Sequence, residues 1–379
     1  MKLKSVSIKG LNNKVDCDVE FHDDINIVTG MNGSGKTTLL KILWYAISGN
    51  IERIAPEITF EVFKLETDHF SIHLNNKGNA IEWKYSGNST DSQSIDIVEG
   101  SGQFDIGITN RPLKETEDLN KLIVSNQTSS LFFPTFRRIE GGYSMTDSRR
   151  VRRQINSREF ITEIIERDDI QEEFDRLSNR LSVLTHKFVC SISTHDIVSL
   201  LTSRYARASE KTNEYYLGLS TLISSQIEGV KSDIEDNKEE ALSILSKLQK
   251  EAITVNNKRD ELLKPFEVLS ELVAKIFQHK GIRLDAVTLG ESIDAIDSRS
   301  LSAGEKQMLS FLCYNTFYED SIIFIDEPEL SLHPDWQRRL FPNLIKQQAS
   351  NQFIVATHSP FIYSKYADKE IILSEDKGE

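Results

Sequence analysis

Cysteine is scarce: Cys17, Cys190 and Cys313 are the three in a chain of 379 residues. They are odd in number, far apart and in no metal-ligand spacing, so neither a disulfide framework nor a cysteine-built zinc site has support, and they read as reduced thiols. Long apolar runs are missing too. No stretch approaches the roughly 18 to 20 apolar residues that cross a bilayer, and the opening Met1 to Gly10 lacks the apolar segment of a secretory signal. A cytoplasmic chain without a membrane segment is expected. Basic charge is in deficit, with 45 Lys and Arg against 58 Asp and Glu for a net charge of −13. That balance disfavours unaided binding along a polyphosphate backbone unless a local basic patch overrides it. No internal repeat or low-complexity tract stands out. What is present, 27% charged and 39% hydrophobic residues, is the composition of a folded chain long enough for a large α/β domain with an insertion, or for two domains.

Three textures follow one another. Residues 1–150 read as a strand-rich lobe, with short runs at Leu3 to Ile8, Ile25 to Thr29, Ile58 to Leu65, Phe70 to Leu74 and Ala80 to Tyr85 separated by Asn, Gly, Asp and Ser clusters. One helix interrupts them, from about Gly35 through Leu39, Leu40, Leu43, Trp44 and Ile47 to the stop at Ser48-Gly49-Asn50. Residues 151–281 read as a helical arm. Ile170, Phe174, Leu177, Leu181, Leu184 and Phe188 step by four and three, and Ile227, Ile234, Ala241, Leu248, Val255 and Leu262 hold a seven-residue phase before Pro265 is expected to break the helix. Either a bundle on the core or a projecting antiparallel coiled coil fits. Residues 282–379 return to alternation: a strand near Ile282 to Leu289, a helix after Gly304, a strand Ile322 to Ile325, a helix after Pro334 and a strand Phe353 to Thr357. That alternation implies a largely parallel sheet.

The most specific motif is Gly30-Met31-Asn32-Gly33-Ser34-Gly35-Lys36-Thr37, a phosphate loop between an apolar strand and a helix. Its glycines let backbone N–H groups converge on phosphate oxygens at a positive helix terminus, Lys36 reaches the β and γ phosphates, and the Thr37 hydroxyl suits Mg²⁺. The next residue, Thr38, together with Asn32, Gly33, Ser34 and Gly35, completes the expected nucleotide contacts. The second motif is Ile322-Ile323-Phe324-Ile325-Asp326-Glu327. A four-residue apolar strand puts two acids at its carboxyl end, where open α/β sheets bind ligands; Asp326 suits the metal and Glu327 suits activation of water. Ser300 to Gln307 places Ser302 and Gly304 at a helix start, and Ala356-Thr357-His358-Ser359-Pro360 follows the next strand, where His358 can meet a terminal phosphate.

In this order, the four elements resemble the ABC-type ATPases of the SMC, RecF and OLD group over about the first fifty and last eighty residues. The resemblance implies an α/β P-loop ATPase head with an antiparallel β subdomain and an inserted helical or short coiled-coil arm. It assigns Lys36 and Thr37 to Walker A, Asp326 and Glu327 to Walker B, Leu301 to Gln307 to the signature and His358 to the switch. Glu329 to Pro334 looks like the loop that crosses the dimer interface in this group. By the same resemblance ATP and Mg²⁺ are bound, and two heads close on two ATP molecules with Ser302 and Gly304 acting in trans, giving a homodimer or higher oligomer. Lys36 and Leu301 are 265 residues apart, further than in transporter ATPases resembling this core. Ala303 stands where the family usually has Gly. Gln127 is one candidate for the Q-loop glutamine, an ordinary surface-loop residue the other.

The motifs Asp-Glu-Pro-Glu-Leu-Ser-Leu-His-Pro and Thr-His-Ser-Pro further resemble stand-alone ATPase subunits of bacterial anti-phage systems of the PARIS and Septu types. The chain ends 21 residues beyond His358 with no acidic cluster fitting a toprim nuclease, so the resemblance implies a separately encoded effector, a nuclease, and a DNA or phage-protein trigger. A RecF-like DNA-repair ATPase is the alternative. Seven arginines between Arg137 and Arg158 form a basic island suited to DNA, a phage component or a partner subunit, or to pairing with nearby acids such as Glu163 and Glu166.

Overall fold

The computed structural model describes the chain except residues 14, 79, 88–96, 104–113, 136, 140–148, 157–158, 167–168, 193, 230–237, 278–280, 285–286, 291–294, 298–299, 348 and 375–379. Its first compact unit comprises Met1–Ile192, Ala303–Met308 and Tyr318–Glu379. At its centre is a parallel sheet of six strands in the order His186–Phe188, Ser130–Phe133, Ile322–Asp326, Gln352–Ala356, Ile25–Thr29 and Glu370–Ile372. Ile25–Thr29, Ile322–Asp326 and Gln352–Ala356 are buried along their whole length, which explains why they read as largely apolar runs rather than alternating ones. The phosphate-loop strand and the acidic-pair strand are next-but-one neighbours, each paired to Gln352–Ala356. Their carboxyl ends therefore share one edge.

A six-stranded antiparallel sheet runs Val15–Glu20, Leu3–Leu11, Val62–Thr67, Phe70–Asn76, Ala80–Gly87 and Ile97–Gln103. Buried Gln352 joins it to the parallel sheet, its Oε1 accepting from Leu3 N at 2.7 Å and its Nε2 donating to Leu3 O at 2.9 Å. The helix Lys36–Ser48 presses its apolar residues between the sheets: Trp44 meets Phe132 at 5.5 Å and Phe188 at 5.4 Å between ring centroids. Truncating such a fully buried ring typically costs ~3–5 kcal/mol.

The second unit comprises Ser193–Ser302 and Leu309–Phe317. Its main feature is an antiparallel pair of helices, Thr194–Gly229 and Lys238–Ile276, whose rungs include Tyr205 on Phe266, with centroids 5.5 Å apart, and Tyr216 Oη donating to Asn256 Oδ1 at 3.1 Å. A three-stranded sheet of Val287–Gly290, Gly281–Leu284 and Ala295–Asp297 belongs to the same unit.

Several expectations change. The strand read across Ile282 to Leu289 is a hairpin of two strands, Gly281–Leu284 and Val287–Gly290. The boundary expected at 150/151 falls after Ile192, because His186–Phe188 is a strand of the parallel sheet. The segments Arg149–Asn156 and Glu159–Glu166 form a β-hairpin, not the start of a helical arm. The helix stepping through Ile170 and Phe174 ends at Leu181; Leu184 lies in a turn at φ 49° and Phe188 in a strand. Ile227 and Ala241 sit on different helices, and Ile234 lies outside the described residues, so the seven-residue phase is not one helix. Pro265 does not end its helix, which continues to Ile276.

Candidate functional site

Gly35 caps the helix Lys36–Ser48 at φ 98°, a left-handed conformation that a Cβ would strain. That turn leaves Asn32, Gly33 and Thr37 exposed at the positive helix terminus, with Ser34 and Thr38 partly buried and Thr38 Oγ1 accepting from Asn12 Nδ2 at 3.0 Å. Buried Lys36 turns back over the loop. Its Nζ donates to Gly30 O at 2.9 Å and Met31 O at 3.1 Å and lies 2.6 Å from His358 Nε2. Burial lowers the Lys36 pKa, and burial with the Lys36 charge lowers that of His358, so a neutral imidazole accepting from the ammonium fits this contact.

Glu327 completes the cluster, its Oε1 3.5 Å from His358 Nε2. Burial, a hydrogen bond with Glu329 and the charges of Glu329 and Asp326 push its carboxyl up to about 8, against the pull of Lys36. Its backbone is left-handed at φ 51°, unusual for a non-glycine residue. The structure thus brings Lys36, Glu327 and His358 together from three segments that are far apart in the chain.

Asp326 is fully buried at the end of its strand. Thr135 Oγ1 donates to Oδ2, while Oδ1 is buried with no hydrogen-bond partner among the described residues. A buried anionic oxygen without a donor is costly unless a cation meets it. Asp326 and the exposed Thr37 hydroxyl fit Mg²⁺, which keeps several waters and takes few protein ligands. No group of three or more His, Cys, Asp or Glu suited to a metal occurs among the described residues.

Ser302 is exposed and Gly304 opens the helix Ala303–Phe317. A Cβ at Gly304 would lie 2.4 Å from Ser331 O, so this position needs glycine for packing within its own chain. From the same helix, Gln307 Nε2 donates to Pro328 O at 2.9 Å. Gln127 follows the turn at Ser125–Asn126 that ends the helix Lys114–Val124, with φ 52°.

Four residues were not assigned to this site by the sequence reading. Glu329 braces the switch segment, its Oε1 accepting from His358 N and its Oε2 from Thr357 Oγ1, both at 2.8 Å. Gln337 Nε2 donates to Leu332 O at 2.7 Å while its Oε1 accepts from Ser359 Oγ at 2.6 Å. Thr135 and Arg137 approach the acidic strand from the end of Ser130–Phe133. Their place just after an apolar run that pairs with the acidic strand was the one signal that could have found them.

A phosphate loop, an acid pair and a histidine on one edge of a parallel sheet define the P-loop ATPase class. The AAA ATPase domain family, AAA_15, matches residues 1–363, and the chain belongs to it. It is 23% identical over 378 residues to the retron Vc95 probable ATPase of Vibrio cholerae, covering 91% of this chain and 68% of that protein. It is 27% identical over 121 residues to the DNA replication and repair protein RecF of Desulforamulus reducens, covering 31% of this chain and 29% of RecF. It is 41% identical over 63 residues to endonuclease GajA of Bacillus cereus, covering 15% of this chain and 11% of that protein. Among the described residues no helix is long and apolar enough to cross a membrane.

Proposed function

We propose that the chain is a Mg-ATP-dependent ATPase whose heads pair around two nucleotides. In this reading it is the sensor and scaffold subunit of an anti-phage defence system and controls a separately encoded effector, a nuclease. The observation that carries the hydrolytic half is the convergence of Lys36, Glu327 and His358 beside the phosphate loop. Loop N–H groups and Lys36 bind the β and γ phosphates, with Lys36 exchanging its carbonyl and imidazole contacts for phosphate oxygens. Water attacks the γ-phosphorus, the bond to the β–γ bridging oxygen breaks with its electrons passing to ADP, and the water proton goes to Glu327. Burial and its acidic neighbours lift the Glu327 carboxyl to about 8, which raises its affinity for the proton of the attacking water. Thr37 and Asp326 would hold Mg²⁺, which would supply charge neutralisation at the phosphates.

Similarity to a retron ATPase over 91% of this chain supports the scaffold reading. Nucleotide-driven closure would be the switch and hydrolysis the reset. Native mass spectrometry of Glu327→Gln expressed from its own locus, with and without Mg-ATP, tests it: a second polypeptide bound in stoichiometric amount is expected. The RecF similarity favours a second reading, a DNA-binding clamp. An ATP-dependent homodimer without a companion, together with salt-sensitive DNA binding, would favour that clamp.

A further inference from the structure

Arg137 belongs by sequence to the basic island, yet it does not share the hairpin of Arg149 to Arg153. It follows the parallel strand Ser130–Phe133 and is partly buried beside the acidic pair. Its Nη1 donates to Asp326 O at 2.7 Å and to Pro134 O at 2.9 Å, and its Nη2 donates to Glu327 O at 2.9 Å. One guanidinium thus spans two consecutive carbonyls of the acidic strand and ties them to the neighbouring strand's exit.

Those carbonyls flank the residue whose backbone is left-handed. A glutamate at φ 51° is disfavoured by sterics, and such a conformation persists when its surroundings over-determine it. The restraints are visible: Glu327 N donates to Ala356 O at 2.9 Å, and Glu327 O accepts from Arg137 and, at 3.3 Å, from Leu330 N. Of these restraints, the Arg137 guanidinium is the one made by a side chain. Burial lowers its pKa to about 10, and the charges of Asp326, Glu329 and Glu327 oppose that loss, so it stays cationic at neutral pH. Arginine suits the task because its planar fork meets two acceptors at once, which an ammonium point charge does not reproduce.

We propose that Arg137 is a positioning residue for hydrolysis: by clamping the Asp326 and Glu327 carbonyls it holds the turn that points the Glu327 carboxyl toward His358 and Lys36. It acts through Glu327 and does not itself contact ATP. The proposal rests on the hydrolytic reading above. Misplacing a reacting group by about 1 Å costs ~100-fold in rate.

The test compares wild type, Arg137→Lys, Arg137→Gln, Glu327→Gln and the double variant Arg137→Gln/Glu327→Gln, measuring melting temperature, fluorescent-ATP affinity and Mg-ATP turnover. Expected are ATP affinity within ~3-fold of wild type for both Arg137 variants and turnover reduced ~100-fold. The double variant is expected to turn over no more slowly than Glu327→Gln, since residues acting as a unit are not additive. Wild-type turnover in Arg137→Gln, a full further loss in the double variant, or failure of both Arg137 variants to fold overturns the proposal. A wild-type chain that hydrolyses no ATP overturns the underlying reading instead, and the positioning role with it.

Discussion

The nucleotide edge and the helical arm are built on opposite terms. At the edge, buried parallel strands deliver Lys36, Asp326, Glu327 and His358 to one place, where Lys36 and Glu327 both meet the His358 ring. On the arm, Tyr205, Leu217, Leu242, Leu245 and Ile253 stay exposed, with Leu217 68% accessible. Where backbone and side chain are both over-determined, a substitution should be costly; where a helix surface carries single exposed apolar residues, it should be nearly silent.

The largest expected effect is at Glu327. Changing it to Gln should lower turnover ~1,000-fold while ATP affinity stays within ~3-fold, as removal of a proton acceptor predicts; phosphate-release and equilibrium-binding assays on one preparation check it. Lys36→Ala should weaken ATP binding ~100-fold, the loss of ~3 kcal/mol of charge-assisted hydrogen bonding, measured by calorimetry.

Inside the sheet the comparison extends to pH. Burial holds the His186 imidazole down to about 4, with Ser130 Oγ 2.8 Å from its Nδ1. The folded state therefore prefers neutral His186, so its contribution is complete above the ordinary value near 6.5 and is lost as pH falls from there toward 4, ~3 kcal/mol in all. Denaturant titrations across that window should show a steeper acid limb for wild type than for His186→Gln. Gly304→Val should destabilise by ~1–3 kcal/mol, since its Cβ would strike Ser331 O; equal melting temperatures would show that this loop yields freely. Leu217→Ser on the arm should change stability by less than ~0.5 kcal/mol, and a larger loss would show that the exposed face is covered in the folded chain.

The same contrast explains what could be read in advance. The phosphate loop and the acid pair were legible because their spacing serves a local backbone geometry: Gly35 turns at φ 98°, and Ile322 to Ile325 are buried on both faces. Gly304 was legible as a helix start but not as a packing position, because Ser331 approaches it from a different segment. Glu329, Thr135 and Arg137 were illegible for the same reason: their partners are brought in by strand order, which no local pattern encodes. On the arm, periodicity misled. Leu181, Leu184 and Phe188 keep helical spacing across a helix end, a turn and a strand, and Pro265 sits inside the helix Lys238–Ile276 rather than ending it. A charge count likewise merged Arg137 with Arg149 to Arg153, although one faces the acidic strand's carbonyls and the others lie on a hairpin.

The most direct test of the central claim is a single-turnover experiment with Mg-[γ-³²P]ATP on wild type and Glu327→Gln, following bound nucleotide and released phosphate in the same samples. The cluster of Lys36, Glu327 and His358 predicts equal nucleotide binding, with phosphate release confined to wild type. Equal phosphate release by the two proteins would contradict it and place the chemistry elsewhere.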